Sequence, residues 1–171
     1  MEKEIYRNEY VTVNETETGY VYVKGKPSVH ILVFNSETGK VLVRKEKVCL
    51  WEKDTDGLVY CSLTGTIEDG DTIEETLIKE LYEEAGIQSN SIQDFLDLGI
   101  TYKSKQLREY QYNYAFDAST SQFKQLEGDG SWGEEGAKIY WVKPQTILQT
   151  IKDPNFSMAL YRLQKVYGIN L

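Results

Sequence analysis

The chain has 171 residues, 40% of them hydrophobic, and a formal net charge of −8. That content suits one core of ordinary domain size, and no stretch approaches the roughly 20 apolar residues that span a bilayer. The acidic balance argues against an extended nucleic-acid surface, which needs basic density to displace counterions.

The start, MEKEIYRNEY, is charged and lacks the apolar run of a secretory leader. The two cysteines, Cys49 and Cys61, form no CxxC and have no histidine nearby, so neither a disulfide framework nor a zinc site is expected. A reducing cytoplasm is the expected setting. No repeat, low-complexity tract or linker interrupts residues 1–171, which read as one domain.

Residues 9–23 alternate apolar and polar on both sides of Glu17-Thr18-Gly19, predicting two strands and a turn. Val29 to Phe34 and Lys40 to Arg44 flank Asn35-Ser36-Glu37-Thr38-Gly39, a second hairpin, and residues 58–63 form a short strand running into Thr64-Gly65. A helix follows over Ile73 to Glu84, opened by the capping-box spacing of Thr72 and Glu75 and ended by Gly86. Ile73, Leu77 and Leu81 should face the core. Strands are expected at Leu96 to Tyr102, Arg108 to Asp117 and Ala137 to Val142. Pro144 and Pro154 stand at first helical positions, opening a short helix and a longer one striped by Phe156, Leu160, Leu163 and Tyr167. A sheet with helices on its faces is the expected architecture.

The chemistry is concentrated in residues 64–87, TGTIEDGDTIEETLIKELYEEAGI. Glu80, Glu83 and Glu84 stand at i, i+3 and i+4, so their carboxylates project from one face of a helix. Like charges so placed repel unless a cation compensates, and hard divalent cations take oxygen ligands. Spacing alone also fits a solvated acidic face. The wider segment resembles the Nudix box, G-x5-E-x7-R-E-U-x-E-E-x-G-U with U a bulky aliphatic residue. Gly65, Glu80, Leu81, Glu83, Glu84, Gly86 and Ile87 fall in register, while Asp71 replaces the first Glu and Lys79 the Arg. Both replacements keep the sign of the charge.

The resemblance covers most of the chain and implies an α/β (α+β) fold: an α/β/α sandwich with a mixed sheet and a loop–helix–loop metal site. It implies that Glu80, Glu83 and Glu84, with the backbone carbonyl of Thr64, ligate Mg²⁺ or Mn²⁺. Lys79 would occupy the place of an arginine that orients a catalytic carboxylate, without guanidinium's two-pronged hydrogen bond. Gly65 and Asp71 would support the ligands from behind. Residues 131–141, SWGEEGAKIYW, resemble the WGxEG…W segment of MutT-type Nudix enzymes, which act on oxidised guanine nucleotides. In that register Glu135 reaches the metal cluster from a loop or serves as base toward water. The bland alternative is a glycine-flanked surface turn.

Tyr102 and Trp132 are the aromatic candidates for substrate contact. Tyr102, sixteen residues beyond Gly86, resembles a marker of dinucleoside-polyphosphate-cleaving Nudix enzymes, and the proline marking ADP-ribose hydrolases is absent. Tyr110, Tyr112, Tyr114 and Phe116 line one strand face, where they either fill the core or stack on a base. HILVFNSETGKVLV resembles isopentenyl-diphosphate isomerases of the same fold, but His30 is the only histidine and cannot supply their several ligands. The expected function is therefore pyrophosphohydrolysis of a nucleoside-diphosphate-linked small molecule, with catalytic roles for Glu83, Glu84, Glu135 and Lys79. Two alternatives stay open: removal of diphosphate from an RNA 5′ end, and a Nudix-like module that senses a nucleotide without cleaving it.

Overall fold

Two-residue alternation along the central strands sorts the apolar side chains onto two faces, and each face recruits its own helix. A computed structural model describes residues 2–47, 58–104, 106–121 and 137–171. The strands are β1 (Lys3–Arg7), β2 (Val11–Glu15), β3 (Val21–Gly25), β4 (Ser28–Asn35), β5 (Lys40–Glu46), β6 (Val59–Cys61), β7 (Leu63–Thr66), β8 (Phe95–Tyr102), β9 (Leu107–Arg108), β10 (Tyr110–Asp117) and β11 (Lys138–Val142). The helices are α1 (Ile73–Ala85), α2 (Pro144–Ile147) and α3 (Pro154–Tyr167). The larger sheet runs β11-β5-β4-β10-β8, with β6 added to β5 and β7 to β4. It is mixed, because β10 lies parallel to β4 while β8, β7, β5 and β11 run antiparallel to their neighbours. A smaller sheet runs β1-β2-β3-β9.

On one face Val29, Ile31, Val33, Leu42, Leu63, Tyr114 and Phe116 pack against Leu77, Leu81 and Ala85 of α1. On the other, Leu32, Phe34, Val41, Val43 and Ala115 pack against Phe156, Ala159 and Leu163 of α3. Each of these fully buried large side chains contributes roughly 1.5–3 kcal/mol of transfer free energy. The expected sandwich is borne out, and both caps of α1 with it. The Thr72 hydroxyl accepts from the Glu75 amide, the Glu75 carboxylate accepts from the Thr72 amide, and Gly86 closes the helix at φ 63°, where a Cβ would be strained. Asp153 caps α3, its Oδ1 accepting from the Asn155 amide at 2.9 Å. No described helix is long and apolar enough to cross a membrane.

The structure departs from the sequence reading at three strands. Residues 58–63 do not make one strand. The chain changes partners at Ser62, leaving β5 for β4, and the Ser62 amide donates to Asp153 Oδ2 at 3.2 Å. The second half continues through Thr64 and Gly65 to Thr66 as β7. The segment Arg108 to Asp117 is broken at Glu109, with Arg108 joining Leu107 in a short strand that pairs with β3 of the small sheet. β1 carries no core face at all, since every one of its residues is exposed. The turn joining it to β2 is held by Asn8, whose Oδ1 accepts from the Tyr10 and Val11 amides at 2.9 and 2.8 Å.

His30 is fully buried in β4, and neither ring nitrogen has a hydrogen-bond partner. Burial lowers its pKa to about 4, against a small opposing pull from Asp153, 3.8 Å away. A histidine lowered in the fold binds its proton more readily when unfolded. Its contribution is thus complete above pH 6.5 and is lost as pH falls toward 4. Between pH 7 and pH 5 that one group should remove about 2 kcal/mol of stability. Urea unfolding at the two pH values should show this loss in the parent and a shallower one in His30→Leu. Equal slopes would show that His30 is not the group responsible.

Candidate active site

The phase of α1 follows from its caps and from the apolar stripe of Leu77, Leu81 and Ala85, which must meet the sheet. With 3.6 residues per turn, Glu80 and Glu84 then flank that stripe, and Glu83 is turned outward. Gly65 explains how Glu80 fits. A Cβ at this buried position would overlap the Glu80 side chain down to its carboxylate. Only glycine lets the carboxylate lie against β7.

Glu84 is the most enclosed of the three, its side chain 9% exposed. One carboxylate oxygen accepts from the Thr64 amide at 3.0 Å. The other accepts from Nη1 of Arg44, which rises from β5 on the face that also carries Leu42. Nε of the same guanidinium lies 3.2 Å from Glu46 Oε2. Burial pushes the Glu84 carboxyl well above the usual carboxylate range, the Glu80 and Glu46 carboxylates push it the same way, and Arg44 and the Thr64 amide oppose them. Negative charge is thus crowded where it is least solvated, the electrostatic condition that a divalent cation relieves.

Lys79 and Glu83 are both half exposed, with Nζ 4.0 Å from Glu83 Oε2, and they are a surface pair. Asp71 is exposed at the end of the loop before α1, its amide donating to the Glu68 carbonyl at 3.0 Å. Tyr102 lies outside this cluster. It is exposed at the end of β8, its ring 4.9 Å from that of Tyr110, with β10 and β4 between β8 and β7. Tyr114 and Phe116 belong to the core, and Tyr112 packs partly against it. Glu135 and Trp132 lie outside the described residues. Cys61 offers no nucleophile, because burial first, then Glu46 and Asp153, push its thiol up to about 12.

The structure therefore brings Thr64, Gly65, Glu80 and Glu84 together and leaves Glu83 at the rim. Among the described residues no three His, Cys, Asp or Glu side chains converge closely enough, as placed, to enclose an ion. The donors are nonetheless of the type that Mg²⁺ or Mn²⁺ takes: carboxylate oxygens, one in a glycine-made cradle and one buried among like charges. Arg44 and Glu46 were not among the residues singled out by sequence. Their only signal is the two-residue period from Leu42, which carries the core face of β5 onward into charged positions.

A family model described as the NUDIX domain matches residues 24–162. Among curated proteins, the NAD-capped RNA hydrolase NPY1 of Saccharomyces cerevisiae is 31% identical over 87 residues, half of this chain and 22% of that protein. The chain thus spans under a quarter of that relative's length. Among solved structures, an ADP compounds hydrolase superposes with a TM-score of 0.66 at 19% identity, covering 98% of this chain and 92% of that one. A MutT structure from a study of Aliivibrio salmonicida and Vibrio cholerae gives a TM-score of 0.52 at 20% identity, covering 80% and 97%. At these identities the structural likeness speaks for the fold.

Proposed function

This chain belongs to the NUDIX domain family, and from that premise we propose that it is a divalent-metal-dependent pyrophosphohydrolase acting, as one domain, on a nucleoside-diphosphate-linked small molecule. The observation that carries this reading is the bracket around Glu84: a buried carboxylate on α1, next to Glu80 and tied to Thr64 beside the glycine cradle. A merely solvated acidic face would leave all three carboxylates in water.

Glu80, Glu83 and Glu84 would hold Mg²⁺ or Mn²⁺, with the Thr64 carbonyl as a further oxygen donor. Bound there, the cation neutralises the diphosphate and lowers the pKa of water. The protein's own share is placement. Gly65 gives Glu80 its position, and the Thr64 amide and Arg44 fix Glu84 in one orientation. Glu83, at the rim, is open to substrate and to the proton of the attacking water. Glu135 is proposed as a further carboxylate of the site, and Tyr102 and Trp132 as contacts to the substrate beyond the diphosphate. Cleavage of a capped RNA 5′ end is a second reading, favoured by the 31% identity to a protein named as a capped-RNA hydrolase.

The test is a phosphate-release screen over nucleoside triphosphates, sugar nucleotides, ADP conjugates, dinucleoside polyphosphates and capped RNA, with Mg²⁺ and with Mn²⁺. At least one class should turn over, and turnover should vanish in excess chelator. Undiminished turnover in chelator removes the metal from the mechanism. Failure of every substrate, with a nucleotide still raising the melting temperature, favours the sensor.

A further inference from the structure

We propose that Arg44 is the positioning residue for Glu84, the role that the family pattern gives to the basic residue at position 79. This rests on the reading above, in which Glu84 serves the metal site. Arg44 is 4% exposed and its backbone is clamped between two strands, pairing with Cys61 of β6 and Ile139 of β11. Its guanidinium reaches Glu84 through Nη1 and Glu46 through Nε. A planar fork with fixed donors suits that double contact, which an ammonium cannot copy.

Together with the Thr64 amide at 3.0 Å, Arg44 saturates one lone pair on each oxygen of Glu84. The carboxylate is therefore held from two strands at once, β5 and β7, while α1 supplies only its stem. Lys79 cannot do this from where it stands. It stands five positions before Glu84, which puts the two side chains about 140° apart around the helix. Its ammonium sits 4.0 Å from Glu83 at the half-exposed rim. The lysine in the box is thus compatible with a working site because the orienting charge comes from the sheet.

Arg44 is buried behind Glu84 and acts through it, so its loss should strike kcat rather than substrate binding. Arg44→Met should lower kcat about 10²-fold through misplacement of the carboxylate, with KM within about threefold. Arg44→Lys should recover part of the loss, and Lys79→Met should cost at least about tenfold less than Arg44→Met. In the double variant Arg44→Met/Glu84→Gln the two losses in kcat should not add, since Arg44 acts only through the carboxylate that Glu84→Gln removes.

A thermal cycle on the same four proteins reads the tie without any substrate. Arg44→Met should lower the melting temperature by about 10 °C by stranding a buried carboxylate, and adding Glu84→Gln should restore part of it. If Arg44→Met does not fold, Arg44→Lys takes its place in both cycles. Parental kcat in the Arg44 variants, or full additivity in the cycles, would overturn the assignment. Should the parent cleave nothing in the screen, the functional reading falls separately. The thermal cycle then decides alone: non-additivity supports the Arg44–Glu84 tie, and additivity removes it.

Discussion

Glu84→Gln is expected to lower turnover by two to four orders of magnitude, roughly 3–5 kcal/mol of transition-state stabilisation. Glutamine keeps the shape but removes the charge, and with it the affinity for a cation. The structure adds a second cost. Both oxygens of Glu84 face donors, the Thr64 amide and the Arg44 guanidinium. One of them must therefore meet the new NH₂ group, a buried mismatch costing about 1–3 kcal/mol of stability. Removal of a buried charge, which burial and the Glu80 and Glu46 carboxylates disfavour, offsets part of this cost. The comparison is Glu75→Gln on the same helix, where the carboxylate serves only the cap at Thr72. It should cost up to about 1 kcal/mol of stability and leave the turnover of the folded protein within about twofold. Equal, small effects on turnover from both changes would remove Glu84 from the site.

Gly65→Ala should show the imbalance opposite to that of Glu75→Gln, with activity lost out of proportion to stability. The added Cβ meets the Glu80 side chain from Cγ to Oε1, and none of its three nearest atoms belongs to the backbone. Glu80 must therefore rotate away from Cγ outward, at a cost of about 1–2 kcal/mol. The swing takes the carboxylate off β7, and an ångström of misplacement in such a site costs about 10²-fold. Turnover and urea midpoints on the same preparations separate the two quantities. Parental turnover in Gly65→Ala would mean that Glu80 does not work from this cradle.

Helix α1 was legible because its signals are local. Thr72, Glu75, Leu77, Leu81 and Gly86 lie within one short stretch and agree with each other. The spacing of Glu80, Glu83 and Glu84 likewise placed them on one face. It could not say which would be buried, since that depends on where β7 crosses. The Arg44–Glu84 contact joins residues 40 apart, and nothing in a strand reading KVLVRKE announces its partner. β1 escaped because a strand exposed at every position has no apolar alternation to detect. The break at Ser62 escaped for the opposite reason: LVYCSL reads as one apolar strand, and its change of partner is imposed by β4, β5 and Asp153.

Asp153 also sets an order of events in synthesis. Its two oxygens divide their work, one closing the first turn of α3 and the other holding the Ser62 amide at the kink that delivers Thr64 and Gly65 to the site. Those partners are 91 residues apart. On a ribosome adding about 5–20 residues per second, the kink waits about 5–18 s for the residue that fixes it. The last carboxylate of α1, Glu84, follows Ser62 by 22 residues and precedes Asp153 by 69, so α1 is made while the Ser62 amide still lacks that partner. The nascent chain thus carries the carboxylates of its proposed metal site for several seconds before Asp153 can hold the strand that faces them.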